Sequence, residues 1–187
     1  KYFEQHHIMG EIIWNNNTNF HIEWKKIWLN TFKTYCEPID NNTLYKILHH
    51  CLRTNKSTST WSNSQLNNTR CKHSNNTEDI KHIFTECNKA ITVWNAFQNY
   101  YLKLNPSKAF TPIEHLLTVS AIKLNNKTNK IVLTITSIIT REIWKARNKL
   151  QFDNTIIPPN NIIKNIKLEL KRIIKTHYKI DTLNGNL

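Results

Sequence analysis

The stretch Cys71-Lys72-His73-Ser74-Asn75-Asn76-Thr77-Glu78-Asp79-Ile80-Lys81-His82-Ile83-Phe84-Thr85-Glu86-Cys87, with Trp94 shortly after it, decides how this chain reads. It holds the one cluster of soft ligands in the sequence. Two cysteines and two histidines offer thiolate and neutral imidazole, the donors Zn2+ prefers, in the number a tetrahedral structural site requires. The opening cysteines of such a site usually stand two or four residues apart, and here Ser74 stands at the expected second position. A serine hydroxyl keeps its proton near neutral pH and is a poor zinc ligand. His73 is the natural substitute, because in extended backbone residues 71 and 73 project to the same side. Cys71, His73, His82 and Cys87 then form the candidate Zn2+ set.

A second pattern runs through the same residues. Ile80, Phe84, Cys87, Ile91 and Trp94 recur at helical intervals, which makes Cys87 a core residue of an amphipathic helix. His82 and Cys87 are five residues apart, and on an ideal α-helix they point about 140° away from each other. One continuous helix therefore cannot bring both to one metal. Zinc binding requires the helix that carries His82 to end near Glu86, with Cys87 just past it and a second helix starting around Asn88 as N-cap. At the level of the sequence both patterns stand open.

Outward from this stretch the chain reads as helices. It contains two glycines in 187 residues, too few for a supply of tight hairpin turns. Its apolar residues recur at intervals of three and four. The expected class is all-α, an irregular helical bundle around a small Cys/His knuckle. Residues 1–19 read as a packed segment and linker, 20–155 as the main domain, and 156–187 as a basic amphipathic helix with a fraying tail. Within the main domain, helices are expected from Phe20 to Phe32, closed by Pro38, and from Asn42 to Arg53, with Cys51 on the apolar stripe. Thr54–Thr69 reads as a surface loop anchored by Trp61. Further helices are expected through Phe97 and Tyr101, from Ile113 to Leu124, and from Ile131 to Phe152. Pro158 and Pro159 precede a last helix capped by Asn160.

The formal charge is +13, from 26 basic and 13 acidic residues. Between Lys123 and Lys179 stand 13 Lys and Arg against 3 acidic residues, so the surplus is mainly C-terminal. Such a balance points to a polyanionic partner, and the backbone of RNA or DNA is the commonest. Arg141, Lys145, Arg147, Lys149, Lys164, Lys167, Lys171, Arg172 and Lys175 are the candidate phosphate contacts. Trp144, Arg147 and Asn148 share one helix face, where Arg147 also suits a structural role on an aromatic ring. No signal peptide or membrane-length apolar run appears, so the expected setting is a reducing one, nucleus or cytoplasm, without a membrane partner. The start at Lys1 reads as a piece of a longer product.

The Cys/His stretch resembles the zinc-binding module that follows the reverse transcriptases of non-LTR retrotransposons, commonly Cys-x2-Cys-x7-His-x4-Cys. Ser74 takes the place of the second cysteine, while His82 and Cys87 keep the later spacing. Glu78 matches the acidic position ahead of the histidine, and Ile83 and Phe84 the apolar pair after it. Upstream, Trp24, Ile27 and Trp28 fit the family's tryptophan-rich helix. Downstream, Ile143-Trp144-Lys145-Ala146-Arg147-Asn148 reproduces an Ile-Trp-x-x-Arg-Asn helix. The resemblance covers roughly residues 20 to 155. It implies a helical accessory domain that grips template RNA or target DNA, with the rest of a reverse transcriptase polyprotein as its partner.

Catalysis of that element's reactions is not expected here. Polymerase and nuclease chemistry need clustered carboxylates to hold divalent metals, and the acids are scattered. There is no Tyr-x-Asp-Asp motif, no Gly-rich phosphate loop and no Gly-x-Ser-x-Gly elbow. The alternative to a nucleic-acid role is a zinc-free helical bundle, a relic or a protein-interaction domain whose basic face is merely solvated.

Overall fold

The computed structural model describes residues 2–36, 38–61, 69–104, 111–117 and 126–184. They form α1 (Tyr2–Asn16), α2 (Trp24–Asn30), α3 (Pro38–Leu48), α4 (Asn55–Trp61), a π-helical turn (His82–Glu86), α5 (Asn88–Leu104), α6 (Pro112–Leu117), α7 (Asn126–Asp153) and α8 (Pro159–Asn184). The only extended pairing among the described residues is an isolated bridge between Arg70 and Thr77. The all-α expectation holds. No described helix is long and apolar enough to cross a membrane.

α7 is the axis of the fold. Its β-branched start, which by local propensity favours a strand, is buried at every position from Val132 to Thr140. A helix covered all round is a core helix, and packing then overrides propensity. The hydroxyls of its buried threonines Thr134, Thr136 and Thr140 all find partners, whereas that of Ser137 has none among the described residues. Thr134 Oγ1 donates to the Lys130 carbonyl at 2.7 Å and Thr140 Oγ1 to that of Thr136 at 3.0 Å. Two of these hydroxyls also tie in neighbours: Thr134 Oγ1 accepts the Tyr35 backbone N–H at 2.9 Å, and Thr136 Oγ1 lies 3.1 Å from the Tyr101 hydroxyl of α5. α3, α5 and α8 pack on α7.

Ile162, Ile166 and Ile173 of α8 and Trp14 of α1 belong to one hydrophobic core with α5 and α7. The expected division at residues 19 and 155 is therefore not a division of the core. α1 runs through the supposed linker as far as Asn16, and three indoles fasten it: Trp14 Nε1 donates to the Ile47 carbonyl, Trp24 Nε1 to Asn15 Oδ1 and Trp28 Nε1 to Glu11 Oε1.

Several boundaries differ from the sequence reading. Pro38 does not close a helix but opens α3, at the position where its missing N–H costs nothing. α3 stops at Leu48, and His50 turns the chain with a left-handed φ of 54°. Cys51 consequently falls beyond the helix and is exposed rather than core. Thr54–Thr69 is not all loop, because α4 starts at Asn55. Thr54 Oγ1 accepts the Ser57 backbone N–H at 3.1 Å, and Ser57 Oγ accepts that of Thr54 at 2.8 Å. This is a reciprocal capping box with serine in the place of the usual Glu. Residues 62–68, the loop at Pro106 and the second half of the helix expected up to Leu124 lie outside the described residues. α8 begins at Pro159, so Asn160 is inside the helix rather than its cap.

α1 and α3 meet at Gly10. A β-carbon there would overlap the Leu48 carbonyl oxygen and press on His49 Cα at 3.1 Å, both backbone atoms that cannot rotate away. Gly10→Ala is expected to destabilise the protein by about 1–3 kcal/mol, read as a lowered urea midpoint. Ile12→Ala, on the exposed face of the same helix, should stay within about 0.5 kcal/mol of the parent.

Candidate metal centre and basic surface

A tight turn carries the first ligand. The Cys71 N–H donates to the Asn76 carbonyl at 2.8 Å, and the Asn75 N–H to the Cys71 carbonyl at 3.0 Å, with Asn75 in the left-handed region at φ 59°. Asparagine tolerates that conformation better than most residues. Asp79 then opens the next helical segment, its Oδ1 accepting the His82 N–H at 2.9 Å, as acidic residues at N-caps do.

From His82 the helix widens into a π turn. The Cys87 N–H donates to the His82 carbonyl, five residues back, at 2.8 Å. Cys87 itself is extended (φ −65°, ψ 130°) and α5 starts at Asn88. The break expected between Glu86 and Asn88 is present, with Cys87 rather than Asn88 at the cap position. The Cys87 sulfur accepts the backbone N–H groups of Lys89 and Ala90 at the start of α5. Trp94 Nε1 donates to the Phe84 carbonyl at 2.7 Å, satisfying a backbone group inside the π turn. The widened turn resolves the 140° difficulty, since it stacks residue 87 over residue 82.

Cys71, His82 and Cys87 are all buried, and their ligand atoms lie within 4.8 Å of one another. His82 Nδ1 faces the Glu86 carboxylate at 3.9 Å and Nε2 points into the cluster. A hydrogen bond from Cys87 holds the pKa of the Cys71 thiol well below the usual thiol range, and the same contact, together with burial, pushes that of Cys87 up. The backbone N–H of His73 also donates to the Cys71 sulfur, at 3.4 Å. A cavity of about 30 Å³ adjoins the two sulfurs, about enough for one small solvent molecule or ion. Two thiols and an imidazole nitrogen converging in a buried corner fit a metal ion, and this group can hold one.

The fourth ligand expected, His73, is not brought in. Its imidazole is not among the converging ligand atoms, and its hydrogen bond to Cys71 comes from the backbone N–H. The reason is the turn itself, because residues 71–76 coil back instead of running extended, which removes the alternation that put 71 and 73 on one side. Ser74 occupies that corner. Its hydroxyl lies 2.8 Å from His82 Nε2 and in hydrogen-bond contact with the Cys71 sulfur. Lys89, which the sequence reading passed over, has its ammonium buried beside the cysteines, and burial lowers its pKa. Its place two residues after Cys87, in the first turn of α5, was the available signal.

Glu78 joins this knuckle to the rest of the fold. It is buried, and its Oε1 accepts the Asn55 N–H at 3.0 Å and an Arg147 Nη2 donor. Arg147 also reaches Asn55 Oδ1 at 3.1 Å and Asn148 Oδ1 at 3.2 Å, and its guanidinium carbon lies 5.1 Å from the centre of the Trp144 ring. Trp144 in turn stacks near Phe84 of the π turn at 6.2 Å. Arg147 is thus a structural residue and not a phosphate contact.

The basic residues separate into two groups. Arg141 is mostly buried, bonded to Glu142 at 3.0 Å and near Glu169 at 3.9 Å, and so is withdrawn from phosphate binding. Lys145 pairs with Glu142, Lys149 with Asp153, and Arg172 with Glu169 through a bidentate fork. Lys164, Lys167, Lys171 and Lys175 are exposed and have no acidic partner among the described residues. At 100° per residue they fall within an arc of about 80° on α8, opposite its buried isoleucines.

The Glu78–Arg147 pair yields a prediction. Glu78→Gln leaves a buried guanidinium without its counter-charge and should cost about 3–5 kcal/mol in urea unfolding. Asp153→Asn, which removes the exposed partner of Lys149, should leave the urea midpoint essentially unchanged.

Comparison with known proteins adds no relative: no family model matches the chain, and no curated protein or solved structure matches it either.

Proposed function

We propose that the chain is a nucleic-acid-binding accessory domain, of the kind that follows a non-LTR reverse transcriptase, with a structural Zn2+ held by Cys71, His82 and Cys87. The observation that carries the nucleic-acid reading is the α8 stripe of Lys164, Lys167, Lys171 and Lys175. These lysines recur about once per helical turn without acidic partners among the described residues, while Arg141, Lys145, Lys149 and Arg172 are neutralised in place. A regular row of solvated ammonium groups suits the repeating charge of a phosphate backbone and reads no sequence by itself. Support for the family reading comes from the pairing of Glu78 with Arg147, since these are the acidic and basic positions of two motif segments far apart in the chain.

Zn2+ would supply cohesion rather than chemistry, binding both thiolates and the imidazole and so joining the 71–76 turn to the start of α5. A water held beside the Ser74 hydroxyl would complete the set, since the hydroxyl itself is a poor ligand. The role of the domain is to hold RNA or DNA for a polymerase elsewhere in the same polyprotein, without catalytic residues of its own, in the nucleus or cytoplasm.

Protein purified without added metal is expected to carry about one zinc per chain by elemental analysis. Cys87→Ser should lose it and lower the thermal midpoint, and Ser74→Cys should bind zinc roughly tenfold tighter or more, because a thiolate replaces a hydroxyl. A parent chain free of zinc, with zinc gained only in Ser74→Cys, would refute the metal reading and leave a hydrogen-bonded core cluster. For the surface, substituting glutamine at Lys164, Lys167 and Lys171 together should lower the slope of log affinity against log salt by about 2–3 for generic RNA or DNA. An unchanged slope would remove α8 as the phosphate site.

A further inference from the structure

Beside the lysine stripe, α5, α7 and α8 leave an open groove of about 490 Å³. Its floor is apolar, formed by Ile131, Ile135 and Ile173. Lys167 and Lys171 stand on the α8 wall, where Ile174 is 65% exposed, and Tyr100 of α5, 47% exposed, stands on the facing wall. The Phe97 ring, fully buried, lies 5.9 Å from that of Tyr100 and supports it from the core side. The other aromatic ring of the groove, Tyr35, is already engaged, with the Lys130 ammonium 4.0 Å from its centre and the His177 ring at 4.5 Å. Tyr100 is therefore the ring left open to a ligand.

We infer, resting on the nucleic-acid-binding function proposed above, that this groove takes the unstacked bases of a single-stranded RNA or DNA whose phosphates run along Lys164, Lys167, Lys171 and Lys175. Three features select a single strand. The lysines that line the groove, Lys167 and Lys171, both stand on the α8 wall, in line with Lys164 and Lys175, which suits one phosphate chain. The apolar floor begins beside that row, so a base attached to a phosphate held by Lys167 or Lys171 reaches it directly. A duplex buries the faces of its bases in its own stack and has none to offer to Ile174 or Tyr100, whereas an unpaired strand pairs each phosphate with an exposed aromatic face. The lack of a built hydrogen-bonding array on the aliphatic floor makes the groove tolerant of base identity.

The test is fluorescence anisotropy of the full chain with a short labelled oligouridine strand and with a labelled duplex of equal length, across a salt series. The single strand is expected to bind at least roughly tenfold tighter than the duplex at the same salt. Tyr100→Ala should weaken the single strand by about tenfold and leave the duplex unchanged, while Tyr100→Trp, which keeps a stacking face, should retain single-strand affinity. Because Tyr100 and Ile174 are exposed, Ile174→Ser serves as a second variant, with circular dichroism confirming the fold of each. Equal, salt-dependent binding of both forms, indifferent to Tyr100 and Ile174, would overturn the groove while leaving the phosphate stripe in place. Absence of salt-dependent binding to either nucleic acid would overturn both. The same outcome accompanied by binding of an acidic amphipathic helical peptide, lost in Ile174→Ser, would reassign the groove to a protein.

Discussion

The buried pair between Glu78 and Arg147 is the constraint on which the arrangement depends. The Glu78 carboxylate receives the start of α4 and the guanidinium of α7, and the Glu78 backbone N–H donates to the Thr69 carbonyl at 2.7 Å, two residues ahead of Cys71. Two charges are costly to take out of water unless their remaining hydrogen-bonding groups are met. Here Asn55, Asn148 and the face of Trp144 supply much of what the pair needs. A buried pair of this kind adds little net stability over an apolar equivalent, but it has one geometry. The ligand turn, α4 and the C-terminal half of α7 are therefore held in register by chemistry that an apolar contact could not specify.

The Cys/His corner and the basic surface follow from that register in different ways. The corner is built from the backbone: a tight turn with a left-handed asparagine, a π turn, and the N-terminus of α5 aimed at a sulfur. The surface is built by subtraction. Acidic residues on α7 and α8 take up Arg141, Lys145, Lys149 and Arg172, so the net charge of the region is no guide to which cations are free. Position relative to Glu142, Asp153 and Glu169 decides it.

Helix content, the axis α7 and the apolar stripe of α8 were legible because periodicity over long segments survives local exceptions. The break after Glu86 was legible too, from the angular argument about His82 and Cys87. What was not legible depended on turns. The choice of Ser74 over His73 follows from hydrogen bonds between Cys71, Asn75 and Asn76 that no periodic pattern carries. α4 was hidden because threonine and serine were read as loop formers, although Thr54 and Ser57 stood at capping-box spacing. Cys51 was misplaced by extending the apolar stripe of α3 past a left-handed histidine. The structural use of Arg147 was foreseen as one of two roles, but its carboxylate partner lies too far away in the chain for local pattern to name.

The π turn can be counted as an α-helix with one residue inserted. Seen that way, the four residues between His82 and Cys87 are not a free spacer but a record of backbone type. Deleting one of them would let the segment relax to α geometry and swing everything after it by about 100° around the axis, carrying the sulfur away from Cys71 and Trp94 away from the Phe84 carbonyl. The spacing of His82 and Cys87, the width of the helix and the docking of α5 therefore vary together or not at all, with or without an ion between the two side chains.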